Sequence, residues 1–172
     1  GMGRAMKGGI GSAAIVIPGG LTVAALVAVN AFGDVIDPAT GRVVAGVRTA
    51  DLAGLADARV LLRAGAAQRK PIGENSTIGV VATNARLTKT QATKVAQMAH
   101  DGLARSITPV HSLSDGDTLF ALATGTLAGK ADVSRVGALA AEAVADAVLR
   151  AVRAAKGLPG LPAARELQAA TR

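Results

Sequence analysis

A chain that must build its interior from small side chains can pack only in a few ways. This sequence has 172 residues, half of them hydrophobic, yet it carries two Phe and neither Trp nor Tyr. Ala, Val, Leu and Ile must therefore fill the core, at the close-packed density of protein interiors. Small residues favour close contact between helix and sheet, and 21 glycines favour tight turns. The length suffices for one domain with a real core. Cysteine is absent, which excludes disulfides and thiolate metal sites and fits a reducing compartment.

The formal net charge is +7, and a basic chain invites comparison with nucleic-acid binders. The distribution argues otherwise. Lys and Arg are scattered singly, with Arg69-Lys70 the only adjacent pair, and no aromatic residues are interleaved for base stacking. The longest apolar run, Leu21 to Val29, is interrupted by Thr22 and falls far short of the ~20 residues a spanning helix needs. Neither a nucleic-acid partner nor a membrane is expected. No signal peptide is visible, although the chain opens Gly-Met-Gly rather than with an initiator Met.

Along the chain, the glycine-rich residues 1–12 read as loop. Residues 13–17 and 21–30 read as strands joined by a Pro18-Gly19-Gly20 turn. Asp37-Pro38 and Thr40-Gly41 mark another turn, 51–68 a short helix, and Gln68 to Pro71 a surface linker. Residues 78–83 read as a strand, and Thr88 with Gln91 as a capping box opening a helix whose apolar face is Ala92, Val95, Ala96, Ala99 and Leu103. A strand at 118–124 and a long helix from Val133 to Lys156 follow, the latter closed by Gly157 and Pro159. The tail from Pro162 reads as loosely held. No internal repeat is evident. The pattern predicts an α/β layered domain with helices packed on a strand-rich core.

Several short motifs are weighed against plainer readings. Gly9 to Ala14 matches G-x-G-x-x-A, but it lacks the preceding strand and following helix of a dinucleotide site, so no cofactor is expected. His100 and His111 have no third ligand at metal spacing; no metal site is expected, and both read as surface or hydrogen-bonding residues. Asp115-Gly116-Asp117 places two carboxylates before an apolar strand, where both can project to the strand's mouth; on spacing alone an ordinary solvated Asp-Gly turn is the commoner outcome. Asn30 terminates an apolar strand and Lys7 reads as one more solvated lysine.

Four stretches, in order, resemble the L-aminopeptidase/D-esterase (DmpA-type) family, whose relatives include the nylon-oligomer (6-aminohexanoate) hydrolases: KGGIGSA at 7–13, LTVAALVAVNAFG at 21–33, ENSTIGVVATNARLTKTQATKVAQMAHDGLARSI at 74–107 and PVHSLSDGDTLFALATG at 109–125. The last is nearest the nylon-hydrolase branch. Family members carry a large region before KGGIG, so this chain resembles a C-terminal portion. The resemblance implies a layered α-β-β-α sandwich of the DmpA/ornithine-acetyltransferase type, here without the N-terminal region. It implies self-cleavage between Asn75 and Ser76, dividing one domain into an α-subunit-like segment, 1–75, and a β-subunit-like segment, 76–172. Ser76 would become an N-terminal nucleophile whose own α-amine, with a reference pKa of about 7.7–8.0, serves as general base. Asn30 would donate to the oxyanion, Asp115 and Asp117 would orient the Ser76 hydroxyl and amine, and Lys7 would add positive charge.

The activity so implied is hydrolysis of amide bonds in peptides or small oligoamides, in a cytoplasmic homo-oligomer of processed units without cofactor. Two alternatives stand beside it. One is an acyl transferase like the ornithine acetyltransferases; the other is an inactive chain serving only as an assembly partner.

Overall fold

The computed structural model describes residues 2–65, 75–113 and 115–170. Its framework is a four-stranded sheet in the order β1-β2-β5-β7, from β1 (Gly9–Val16), β2 (Thr22–Val29), β5 (Ile78–Thr83) and β7 (Thr118–Ala123). The first three strands pair antiparallel, whereas β5 and β7 are parallel. A parallel pair needs a long crossover, supplied here by helix α2 (Lys89–Ser106). A smaller three-stranded sheet is made of β3 (Asp34–Ile36), β4 (Val43–Ala45) and β6 (Ile107–Thr108), in the order β4-β3-β6.

Helix α3 (Val133–Ala154) crosses β1 and β2, and α2 lies beside it over β7. The capping box at the start of α2 forms as expected, with Thr88 and Gln91 exchanging side-chain and backbone bonds. Side chains alternate across a strand, so one face of the sheet, including Val23, Ala25, Val27 and Val81, turns to the helices and is buried. The fully buried larger side chains are chiefly valines, with Leu103 and Ile107, as a core without large aromatics requires.

The glycine-rich start is not a loop up to residue 12. Strand β1 begins at Gly9, and the G-x-G-x-x-A segment lies within it. The reason is packing: a Cβ at Gly9 or Gly11 would fall on the carbonyls of Ala151 or Ala147 in α3. These glycines let the helix backbone approach the strand. The tail is likewise better held than its composition implies. Short helix α4 (Ala164–Ala170) follows Ala163, which is fully buried with Ala164, and the Glu166 carboxylate accepts from the Gly157 and Ala163 amides. The short helix expected within 51–68 is α1 (Ala58–Arg63), while the expected linker at 68–71 lies outside the described residues.

Among the described residues nothing covers the other face of the large sheet. Ile10, Val16, Leu26, Ile78, Phe120 and Leu122 stand on it, Phe120 61% exposed and Ile10 69%. This explains why β2 reads TVAALVAV without polar alternation: such runs belong to sheets with both faces apolar. A contiguous apolar face of this kind marks a surface made to be covered.

Candidate active site

Every site residue expected from the sequence lies at one end of the large sheet. Lys7 and Gly8 precede β1, Asn30 follows β2, Asn75 to Thr77 precede β5, and Asp115 to Asp117 precede β7. Because β2 runs antiparallel to its neighbours, the end of β2 meets the starts of β1 and β5. The parallel β5–β7 pairing continues beyond the strands as a bridge between Asn75 and Asp115 in the same register. Four segments distant in sequence thus converge through strand pairing alone.

Backbone bonds fix the central segment. The Ser76 amide donates to the Asn30 carbonyl at 3.0 Å, and Thr118 donates to the Thr77 carbonyl at 3.0 Å. Asn75 is buried, and its carbonyl accepts from the Gly116 amide at 3.0 Å and from the Ser76 hydroxyl at 2.6 Å. A hydroxyl therefore lies against the carbonyl of the peptide bond preceding its own residue, while a backbone N–H polarises that carbonyl. The Ser76 hydroxyl and the Gly116 amide thus both engage the carbonyl oxygen of the peptide bond that precedes Ser76.

Gly116 was not singled out by sequence reasoning beyond its place between two aspartates. A Cβ there would stand 2.5 Å from the Ser76 hydroxyl, so only glycine leaves the hydroxyl its position. The only sequence signal was the glycine between two carboxylates, which an ordinary turn also explains.

The two aspartates differ. The Asp117 side chain is 2% exposed. Its Oδ1 accepts from the Thr77 amide at 2.9 Å, anchoring the residue after the serine. Its Oδ2 lies 3.0 Å from His111 Nδ1 and 3.3 Å from the His111 amide. Asp115 has both oxygens buried, and among the described residues neither completes a well-formed hydrogen bond, although the Phe32 N–H and the Asp117 carboxyl face it. Burial, and then the neighbouring Asp117 charge, push the Asp115 carboxyl up to about 6. A carboxyl so perturbed, at the sheet end that also carries the Ser76 hydroxyl, makes this end the candidate chemical site.

The remaining expected residues are less engaged. Lys7 is half-buried at the same end; its ammonium donates to the Gly8 carbonyl at 3.1 Å and forms no ion pair with Asp115 or Asp117. Asn30 is exposed, and its backbone carbonyl is what anchors Ser76. By strand parity, Asn30, Ser76 and Gly116 share the side of the uncovered face, with Leu26, Ile78 and Phe120, whereas Asp115 and Asp117 share the helix side with Leu119. The two histidines, eleven residues apart, come together, with His100 Nδ1 3.2 Å from His111 Nε2. Among the described residues no cluster of His, Cys, Asp and Glu could hold a metal ion.

Comparisons with known proteins show the family. The model of peptidase family S58 matches residues 1–165. An uncharacterized aminopeptidase of Mycobacterium tuberculosis is 39% identical over 181 residues, covering 95% of this chain and 53% of that protein. A 6-aminohexanoate-oligomer endohydrolase of Kocuria sp. is 36% identical over 90 residues, covering 46% of this chain and 25% of the relative. A Burkholderia sp. beta-aminopeptidase structure superposes with a TM-score of 0.66 at 28% identity, covering 97% of this chain and 49% of that one. The L-aminopeptidase D-Ala-esterase/amidase of Ochrobactrum anthropi, described as a variant of the Ntn-hydrolase fold, superposes with a TM-score of 0.62 at 22% identity, over 98% of this chain and 49% of its own, and so speaks to fold alone. The chain spans about half the length of the aminopeptidase relatives it matches.

Proposed function

Because the chain belongs to peptidase family S58, we propose that it carries the nucleophile of a self-cleaving N-terminal-nucleophile hydrolase acting on amide bonds of peptides or small oligoamides. The observation that carries this reading is the Ser76 hydroxyl, 2.6 Å from the Asn75 carbonyl oxygen that Gly116 also holds. In the self-cleavage step the Ser76 oxygen attacks the Asn75 carbonyl carbon. The Asn75–Ser76 C–N bond breaks, its nitrogen takes a proton, and the Asn75 acyl group rests on the serine oxygen as an ester. Water hydrolyses the ester, leaving Asn75 as a C-terminal carboxylate and Ser76 with a free hydroxyl and a free amine.

The processed site repeats this chemistry on substrate. The Ser76 α-amine takes the hydroxyl proton, and the oxygen attacks the substrate carbonyl. The leaving amine receives that proton, and water releases the acyl group. Asn30 donates to the oxyanion, a role typically worth about 3–4 kcal/mol of transition-state stabilisation. Asp117 orients the residue after the nucleophile through Thr77, Asp115 faces the new amine, and Lys7 adds positive charge at the same end.

Segments 1–75 and 76–172 then act as two chains of one domain, held together by the pairing of β2 with β5. The uncovered apolar face supports a further layer that completes an α-β-β-α sandwich and walls the substrate pocket, since Ser76 opens toward that side. We further propose that the processed protein is a homo-oligomer and cytoplasmic, the latter compatible with a cysteine-free composition. Among the described residues no helix is long and apolar enough to cross a membrane.

Product analysis in the full-length protein tests the reaction class. With a peptide amide and an excess of an added amine acceptor, the free acid accumulates. Accumulation of the acceptor's amide instead assigns the site to acyl transfer of the ornithine-acetyltransferase kind.

A further inference from the structure

Asp117 has a second partner that the reaction above does not use. Its Oδ2 meets His111 through both ring and backbone, Nδ1 at 3.0 Å and the amide at 3.3 Å. His111 reaches this position at φ +54, in the left-handed region that few non-glycine residues adopt. Its other ring nitrogen, Nε2, lies 3.2 Å from Nδ1 of His100 on α2, the two rings tilted at 59°. With His111 neutral, the carboxylate draws Nδ1–H as donor to Asp117 and leaves Nε2 to accept from His100 Nδ1–H; when His111 is protonated, its Nε2–H donates to His100 Nδ1 instead. A continuous chain thus runs from the Thr77 amide through Asp117 and His111 to His100.

We propose that His111, backed by His100, is a positioning residue for the nucleophile: it holds Asp117 against the Thr77 amide and sets the pH at which the carboxylate pair behind Ser76 works. The inference rests on the N-terminal-nucleophile reading of Ser76. The groups that face this chain are Asp117 and Asp115 from the segment before β7, and Asp101 from α2 beside His100. The sign of the effect is fixed by charge. A protonated His111 favours ionised Asp115, pulling its carboxyl down against burial, and disfavours a protonated Ser76 amine. Removing that charge moves both groups toward holding their protons, and both raise the pH at which activity appears. Burial and then the His111 charge keep the His100 imidazole below its ordinary range.

The test uses the full-length protein and two readouts. In Ser76→Ala, which is uncleavable and inactive, ¹⁵N-edited NMR should show a slowly exchanging His111 Nδ1 proton that disappears on adding Asp117→Asn. In the active protein, His111→Ala should lower kcat about ten- to a hundredfold with little change in KM, the range expected for losing a hydrogen bond to a charged group. His111→Asn, which keeps a donor near the Nδ1 position but cannot take up charge, should restore most of that rate while its acidic limb of kcat/KM moves up by roughly half a pH unit. The proposal is overturned if the Nδ1 proton is absent, if His111→Ala keeps wild-type kcat, or if His111→Asn fails to rescue or leaves the limb in place. An uncut, inactive wild-type protein would instead remove the reading of Ser76, and the NMR result would still decide the His111–Asp117 contact.

Discussion

The two ends of the large sheet are built from the same strands and treat their polar groups in opposite ways. At the end away from the site, Asn84 accepts from the Thr22 amide at 2.9 Å and donates to the Gly20 carbonyl at 2.8 Å, while the Thr83 hydroxyl donates to the Thr22 carbonyl at 2.8 Å. At the Ser76 end, the Asp115 oxygens and the buried Thr77 and Ser112 hydroxyls find no well-formed hydrogen bond among the described residues, and the Asp115 carboxyl is driven up to about 6. Buried polar groups are nearly always satisfied. The Ser76 end instead leaves such groups short of partners among the described residues, next to a hydroxyl that meets a peptide carbonyl. The far end closes a hairpin; the near end holds groups ready to change charge and partner.

Substitutions should separate these two kinds of end. The largest effect is expected at Asp117, whose carboxylate serves Thr77 and His111 together. Asp117→Asn should lower amide hydrolysis about a hundredfold or more, with cooperative unfolding retained by circular dichroism. Wild-type turnover would reduce the pair to an Asp-Gly turn. Next comes Gly116→Ala, which keeps the amide donor but drives a methyl group against the Ser76 hydroxyl. Self-cleavage should slow about ten- to a hundredfold, followed by gel as uncut precursor over time. Unaltered processing would show that the hydroxyl does not need the position seen here.

Asp115→Asn should sharpen the contrast, because activity and stability move in opposite directions. The folded carboxyl is raised above its ordinary 3.8, so the folded state binds its proton more tightly than the unfolded chain. That contribution to stability is fully present below 3.8 and is lost as pH rises through about 6. Replacing the carboxyl removes the loss. Asp115→Asn should therefore melt above wild type at pH 8, the two curves converging as the pH falls from 6 toward 4, while its hydrolysis drops. A variant that melts below wild type at pH 8 would contradict the strain assigned to this end. The smallest effect belongs to the far end: Asn84→Ala should destabilise by about 1–2 kcal/mol in urea titration and leave self-cleavage untouched.

What could be read beforehand follows the same division. Strand β5, the α2 capping box and the body of α3 are local patterns, and the sequence predicts them nearly residue for residue. Gly9 and Gly11 misled because glycine signals loop locally, whereas here it answers a helix backbone from residues 147–151. The strands β3, β4 and β6, of two or three residues each, are too short to carry a period. At the site, family resemblance drew attention to Asn30, Ser76, Asp115 and Asp117, and strand pairing does bring their segments together. The Gly116 amide on Asn75 and the contact of His111 with Asp117 depend on register and on a backbone turn at φ +54, which no spacing in the sequence encodes.

The central claim is that the Asn75–Ser76 bond is the one this fold is arranged to break. Intact-mass spectrometry with N-terminal sequencing of the purified full-length protein tests it directly. The account predicts two chains in equal amount, one ending at Asn75 and one beginning at Ser76, with Ser76→Thr still divided and Ser76→Ala a single chain. A wild-type protein that stays whole, a new terminus at another residue, or a Ser76→Ala protein still cut at this bond would contradict it.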